Sequence, residues 1–309
     1  MGVIAIRILG IADKQAVSTS DDRKIRESKV LEDSVMAVWD RDRLTEIFNE
    51  SMEMCNEREL GIKVASSIQA QRVIQEGDTI DCTGDKHDAP VKIVVSKKRT
   101  LEAARGYKGR QVCIHNFASF KSPGGGVERG AVAQEECICR ISTLFPCLTA
   151  PEAMEKFYQP HRKMNQPLGN DDCIYTPDVT VFKTDAAYPE ELPVYDWYKV
   201  NVVTCAAPNL RSYKGRITQK ELKGLHIKRI GRVLDIAKAN GNDVVILGAF
   251  GCGVFQNQPE VVADACVTLI DQYRNDFEVI EFAVYCPPMD TRNYDVFHRR
   301  LKVFQNKGV

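Results

Sequence analysis

The sequence predicts an α/β layered fold on a mixed, mostly parallel sheet, and three observations carry that expectation. Four continuous apolar runs, QVCIHNFAS, KVNVVTCAA, DVVILGAF and VIEFAVYC, have the character of strands buried on both faces. Segments with helical periodicity separate them. Three of the runs lead into unusual loops, NFASFKSPGGGV, TCAAPNL and GAFGCGVFQNQP. In sheets of this kind ligands gather outside the carboxyl ends of the strands.

Residues 12–35 are polar, charge-rich and without a clear period, which reads as a loose extension. From Asp42, DRLTEIFNESMEMCNERE places Leu44, Ile47, Phe48 and Met52 on one helical face. A weaker apolar segment covers 62–74, and VKIVVS at 91–96 is a strand. TLEAARGYKG is a short helix ending at glycine. The glycine loop after QVCIHNFAS should open a helix over about 130–144. DCIYTPDVTVFKTD reads as two strands joined by turn residues. Residues 218–240 form a long helix with Leu222, Ile227, Ile230, Val233 and Ile236 as its apolar stripe. Helices at 259–273 and 291–304 complete the pattern. Residues 1–85 thus read as a partly helical N-terminal extension packed on the core, and 86–309 as the α/β domain.

The composition bounds the function. The chain has 309 residues, 44% of them hydrophobic and 27% charged, which is globular. Lys+Arg and Asp+Glu are 42 each, so no global field draws the protein to nucleic acid or to an anionic membrane. The expected partners include neither. The 11 cysteines form no CxxC; Cys137 and Cys139 make a bare C-x-C. They read as reduced, buried thiols of a cytoplasmic protein. The N-terminal apolar stretch is interrupted by Arg7 and lacks a charged region before it, so it does not read as a signal peptide. No apolar run is long enough to span a bilayer. His87, His115, His161, His226 and His298 have no metal-ligand spacing, and no metal or cofactor is expected. The basic stretches Lys97-Lys98-Arg99 and His298-Arg299-Arg300 read as solvated faces. Nothing in the sequence specifies an oligomer, so monomer is the default.

The loops contain none of the common fingerprints. A GxGxxG from Gly124 meets Arg129, and one from Gly251 meets Gln256; GxxxxGK[ST], HExxH and GxSxG are absent. Each glycine loop by itself is a tight turn or a phosphate cradle. A glycine loop before a helix start can aim free N–H groups at one anion. Gly124, Gly125 and Gly126 form one such loop; Gly251, Cys252 and Gly253 form another. Together they could grip two linked phosphates. Gln134-Glu135-Glu136 is a cap, a solvated face or an acid/base pair. Adjacent residues point roughly 100° apart on a helix, so these acids cannot flank a bond as an opposed pair.

GGG, seven residues, then QEE resembles the signature of the microbial-type poly(ADP-ribose) glycohydrolases. NFAS-x-x-x-PGGG, QEE…R-x-S-x-L-F, YTPDV-x-VF, T-x-x-APN and LGAFGCGVFQNQP are similar to that family's segments, in its order, over residues 110–260. The resemblance implies a three-layer α/β/α macrodomain with an N-terminal helical extension, and 86–309 as its catalytic domain. It implies a glycosidase that hydrolyses ribose–ribose O-glycosidic bonds and takes poly(ADP-ribose) or ADP-ribosylated proteins as substrate, releasing ADP-ribose. Glu136 would be the acid/base and Glu135 would hold ribose hydroxyls. Asn116, Gly124, Gly125 and Gly126 would approach the distal ribose, and Val127 and Gln134 would be further substrate-binding residues. Gly251, Cys252, Gly253 and Val254 would bind diphosphate, with Phe255 packed by the terminal ribose. Val127, Glu128 and Arg129 depart from the family's usual pattern. The alternatives are an ADP-ribose reader without catalysis and a mono(ADP-ribosyl) hydrolase. The intact QEE argues against the reader.

Overall fold

The structure, a computed structural model, describes residues 40–83, 87–287 and 289–305. The loose extension read at 12–35 lies outside the described residues. Two helices come first, α1 (Arg41–Asn56) and α2 (Arg58–Ala70), followed by the short strand β1 (Arg72–Ile74). The core then runs β2 (Lys92–Ser96), α3 (Thr100–Arg105), β3 (Val112–Phe117) and α4 (Gln134–Ile141). Next come α5 (Leu144–Leu148), α6 (Pro151–Ala153), a π-helical turn (Met154–Tyr158), α7 (Gln159–Met164) and β4 (Cys173–Val181). β5 (Tyr198–Cys205), α8 (Gln219–Ala239), β6 (Val244–Leu247), α9 (Pro259–Ile270), β7 (Val279–Ala283) and α10 (Arg292–Gln305) complete the chain.

The strands form one sheet in the order β1-β4-β5-β3-β6-β7-β2. β5, β3, β6, β7 and β2 are parallel, and β4 and β1 are added antiparallel at one edge. Successive residues of β3 show why the sheet is buried on both faces. Val112 and Ile114 pack with α3, α4 and α5, whereas Cys113 packs with α8, α9 and α10. Alternation of side chains across a strand therefore feeds two separate helical layers. The result is the three-layer α/β/α arrangement. The chain goes from β5 to β6 across β3, so the loops after these three strands meet where the connections change direction. That is where an open α/β sheet forms its crevice.

Three expectations change. The helix after the glycine loop begins at Gln134 and not near 130, because Val127–Arg129 forms a 3-10 turn that ends at Gly130, φ 66°. DCIYTPDVTVFKTD is one strand and not two. The turn residues make a bulge, with Asp178 at φ 57° and the register to β5 shifting between Thr176 and Val179. β1 pairs only with residues 173–175, so Pro177 lies outside that ladder and its missing N–H costs little there. Residues 151–164, for which no element is expected from the sequence, are helical.

α1 is tied to α4 through buried polar groups. Ser51 Oγ donates to the Arg140 carbonyl at 2.7 Å, and Arg140 donates to the carbonyls of Leu44 at 3.2 Å and Ala131 at 2.5 Å. Arg140 is buried, so removing it takes a charged donor from the Leu44 carbonyl and from that of half-buried Ala131. Arg140→Met is expected to lower the unfolding free energy by about 3 kcal/mol, read from urea denaturation. A change below the error of the extrapolation would show that this tie is dispensable.

Candidate active site

β3 delivers Asn116 and Phe117 to the carboxyl edge of the sheet, where the chain enters the loop 118–133. Gly124 and Gly125 stand at φ 65° and 61°, a region costly for any residue with a Cβ. A Cβ on Gly124 would meet the Phe145 ring at 2.6 Å, and one on Gly125 would run into the Glu136 carboxyl, its Cδ only 2.9 Å away. The glycines therefore make room for the chain's own side chains. The loop also consumes its own donors. The N–H groups of Gly125, Val127, Arg129, Gly130 and Ala131 bond to loop carbonyls, and those of Lys121 and Ser122 bond to Ser119 Oγ. The N–H groups of Gly125 and Gly126 are therefore spent inside the protein, on the Ser122 carbonyl and on Glu136, whereas those of Val132 and Ala133, just before the helix, donate no hydrogen bond among the described residues.

Two of the loop's donors, together with Asn116 of β3, hold the two acids at the start of α4. Glu135 accepts from the Ser119 N–H at 2.8 Å and from Asn116 Nδ2 at 3.4 Å, while Glu136 Oε1 accepts from the Gly126 N–H at 2.9 Å. Glu135 is 3% exposed and Glu136 9%, so the second acid is the more exposed of the two. Glu136 Oε2 has no hydrogen-bond partner among the described residues. Burial pushes the Glu135 carboxyl up to about 8; the Ser119 N–H opposes this, and the Glu136 charge adds to it.

That shift has a stability consequence of definite sign. In the unfolded chain Glu135 ionises near 4.5, but in the folded protein it keeps its proton to about 8. Between these values the unfolded state binds fewer protons, so stability falls as pH rises, and it levels off above the folded value. Glu135→Gln lacks this titration. Its melting temperature relative to wild type is expected to rise by a few degrees between about pH 5 and 8. A difference that stays constant across that window would refute the shift.

Gln134, expected against the ligand, spends its amide inside the protein. Its Oε1 accepts from the Phe117 N–H at 2.8 Å, and its Nε2 donates to the His115 carbonyl at 2.7 Å and to Thr100 Oγ1 at 3.1 Å. It clamps the first turn of α4 to the end of β3. Val127, also expected in the binding surface, is 1% exposed and packs in the core beneath the loop. Glu128 and Arg129 point outward from the 3-10 turn. Asn116 is fully buried, with its Nδ2 between Glu135 and Thr204 Oγ1 and its Oδ1 without a partner.

The second glycine loop follows β6, the neighbour of β3. Gly251 stands at φ 75°, packed so closely that a Cβ would meet Ala207 at 2.5 Å and Asn257 Nδ2 at 2.6 Å. The N–H groups of Gly253, Val254 and Phe255 donate no hydrogen bond among the described residues. Gly253 and Val254 are exposed; Cys252 and Phe255 are half-buried against the core beside α8, α9 and α10. The Phe255 carbonyl accepts from Leu210 at 3.0 Å and Arg211 at 3.3 Å, which joins this loop to the one after β5. Phe250, at the loop's root, packs on His115 and Phe117 of β3 with ring centroids 4.4 and 5.6 Å away.

The sequence reading missed four residues that shape this site: Ser119, Thr204, His226 and Asn257. Ser119 and Thr204 lie inside the quoted segments but carry no distinctive signal. His226 stands three residues before Arg229 on the buried side of α8, a polar pair that a solvated helix would not bury. Among the described residues no three His, Cys, Asp or Glu side chains converge as a cation site. No helix among them is long and apolar enough to cross a membrane.

A three-layer α/β/α fold with paired carboxyls at one strand end, and a glycine loop with open N–H groups at the next, suits a macrodomain-type glycosidase. The comparisons make that class specific. The model for the microbial-type poly(ADP-ribose) glycohydrolase catalytic domain matches residues 44–184. The poly(ADP-ribose) glycohydrolase from Thermomonospora curvata superimposes with a TM-score of 0.74 at 32% identity, covering 84% of this chain and 100% of that one. The same enzyme bound to the inhibitor ADP-HPD gives 0.72 at 31% identity, with the same coverage. The Deinococcus radiodurans enzyme in complex with ADP-ribose gives 0.68 at 30% identity, covering 78% of this chain and 98% of that one. No curated protein matches the sequence. The chain belongs to the microbial-type poly(ADP-ribose) glycohydrolases, a family that hydrolyses poly(ADP-ribose).

Proposed function

We propose that this chain cleaves the ribose–ribose O-glycosidic bond of poly(ADP-ribose) with Glu136 as acid/base, releasing ADP-ribose. The observation that carries the assignment is the pairing of Glu136 with the first glycine loop. The Gly126 N–H occupies Oε1 and leaves Oε2, on the more exposed of the two acids, open to the crevice. In the first step Glu136, acting in its acid form, gives a proton to the oxygen leaving the anomeric carbon, as that C–O bond breaks and an oxocarbenium-like centre develops. In the second, water adds to the same carbon and gives its proton to the Glu136 carboxylate, which restores the acid. No proton is gained or lost by the enzyme over the cycle.

Glu135 acts beside it as a held, largely protonated partner. Its hydrogen bonds to Ser119 and Asn116 keep it in place to orient ribose hydroxyls. The open N–H groups of Gly253, Val254 and Phe255 suit the diphosphate, whose charge two free carboxylates would repel. A protonated Glu135 lowers that repulsion. The ADP-ribose bound to the Deinococcus relative supports the same ligand here. ADP-ribosylated proteins are the natural carriers of such a polymer. The eleven free cysteines fit a reducing compartment, the cytoplasm.

The test is direct. Purified protein incubated with poly(ADP-ribose) is expected to release ADP-ribose, detected by chromatography. Saturable ADP-ribose binding with no release from polymer would identify a reader instead.

A further inference from the structure

Behind the second glycine loop, three segments far apart in sequence meet on one side chain. Asn257 is 3% exposed. Its Nδ2 donates to the Pro208 carbonyl, in the loop after β5, at 2.8 Å, and to the Gly251 carbonyl at 3.1 Å. Its Oδ1 lies 2.9 Å from Nε2 of His226, on α8. Its own backbone N–H closes the loop onto the Gly251 carbonyl at 3.0 Å. Both carbonyls can only accept, so the amide orientation follows from chemistry and His226 Nε2 must carry a hydrogen. His226 is fully buried, Nδ1 has no partner, and burial pulls the imidazole down to about 4, so it stays neutral. Its ring meets Phe250 edge-on at 5.6 Å. One turn further along α8, Arg229 donates to the carbonyls of Ala206 at 3.1 Å and of Leu168. The buried side of α8 thus anchors two of the loops that border the crevice, those after β5 and β6.

We propose that Asn257 is a positioning residue for substrate binding: with His226 it locks the loop 251–255 so that the Gly253, Val254 and Phe255 N–H groups converge on the diphosphate. This rests on the reading of that loop as the diphosphate cradle. Asn257 touches no substrate in this arrangement. It acts through the backbone, and Gly251 is glycine partly because the Asn257 amide fills the space of a Cβ. A cradle of N–H groups binds an anion well only when their directions are set beforehand, since ordering them on binding costs affinity.

Three variants test it. Asn257→Asp keeps an oxygen for His226 but turns a carboxylate oxygen toward two carbonyls. His226→Phe keeps the ring contact with Phe250 and removes the donor. His226→Gln restores a donor. In the ligand-free protein, hydrogen exchange of residues 249–257 is expected to speed up in the first two variants and to return toward wild type in the third. ADP-ribose Kd and the KM for polymer should rise roughly tenfold in the first two, with kcat changed by less than about threefold. Unchanged exchange in a folded Asn257→Asp protein overturns the locking role. Faster exchange with an unchanged Kd also overturns the proposal, by removing the loop from diphosphate binding. That second outcome is the failure of the underlying reading and not of the lock. A loss confined to kcat would place the effect at the carboxyls and exclude the cradle.

Discussion

Glu136→Gln is expected to lower kcat for release of ADP-ribose from polymer by about a thousandfold, the usual worth of a positioned acid/base. The substitution keeps an oxygen that can accept from the Gly126 N–H, so the loop and the first turn of α4 have no reason to rearrange. What disappears is the group that carries the proton. Affinity for ADP-ribose should stay within about threefold, because the open N–H groups lie on a different loop. Glu135→Gln, measured alongside, separates the two acids. A carboxyl held by Ser119 and Asn116 is poorly placed to move its proton. A folded Glu136→Gln protein that turns over polymer at the wild-type rate, with Glu135→Gln inactive, would reverse the assignment.

Gly125→Ala should be nearly as damaging to turnover, with a modest effect on the fold. The new methyl would press on the end of the Glu136 side chain, and that side chain can swing away. Stability therefore loses mainly the cost of a Cβ at φ 61°, about 1–2 kcal/mol. The swing nevertheless takes the carboxyl off its bond to Gly126, and a displacement of about 1 Å at a reacting group can cost a hundredfold in rate. We expect kcat to fall at least about a hundredfold while the melting temperature drops by a few degrees. Wild-type kcat in Gly125→Ala would show that the glycine serves only the turn. Gly124→Ala is the useful contrast, because its methyl collides with the Phe145 ring and its cost should appear in stability first.

Much of this architecture was legible in the sequence. The continuous apolar runs named the parallel strands, because a strand covered on both faces needs apolar residues at every position. The loops that follow β3, β5 and β6 were recognisable as neighbours at one sheet edge. Helix α8 starts within a residue of its expected position, since Thr218 and Glu221 form a capping box that local chemistry dictates. The errors also have physical causes. Thr176-Pro177-Asp178 carries the composition of a turn, yet pairing with β5 holds it as a bulge within one strand. Gly130 reads as a helix start, but its left-handed backbone ends a 3-10 turn, so α4 begins at the QEE itself.

What the sequence determined by itself was the order of the parallel strands and the longer helices, the clustering of glycines, acids and amides at the strand ends, and the family those motifs belong to. These depend on residue type and short spacing. Only the tertiary structure decided which of those groups is spent and which is open. Gln134 turned inward to β3, Gly125 and Gly126 of the first loop spent their N–H groups on the Ser122 carbonyl and on Glu136, and the second loop kept three of its own available. It also decided that Glu135 is the deeper acid, and that Asn257 meets His226 across 31 residues of chain. Desolvation and hydrogen-bond satisfaction are set by whatever packs around a group, and most of those neighbours come from distant parts of the sequence.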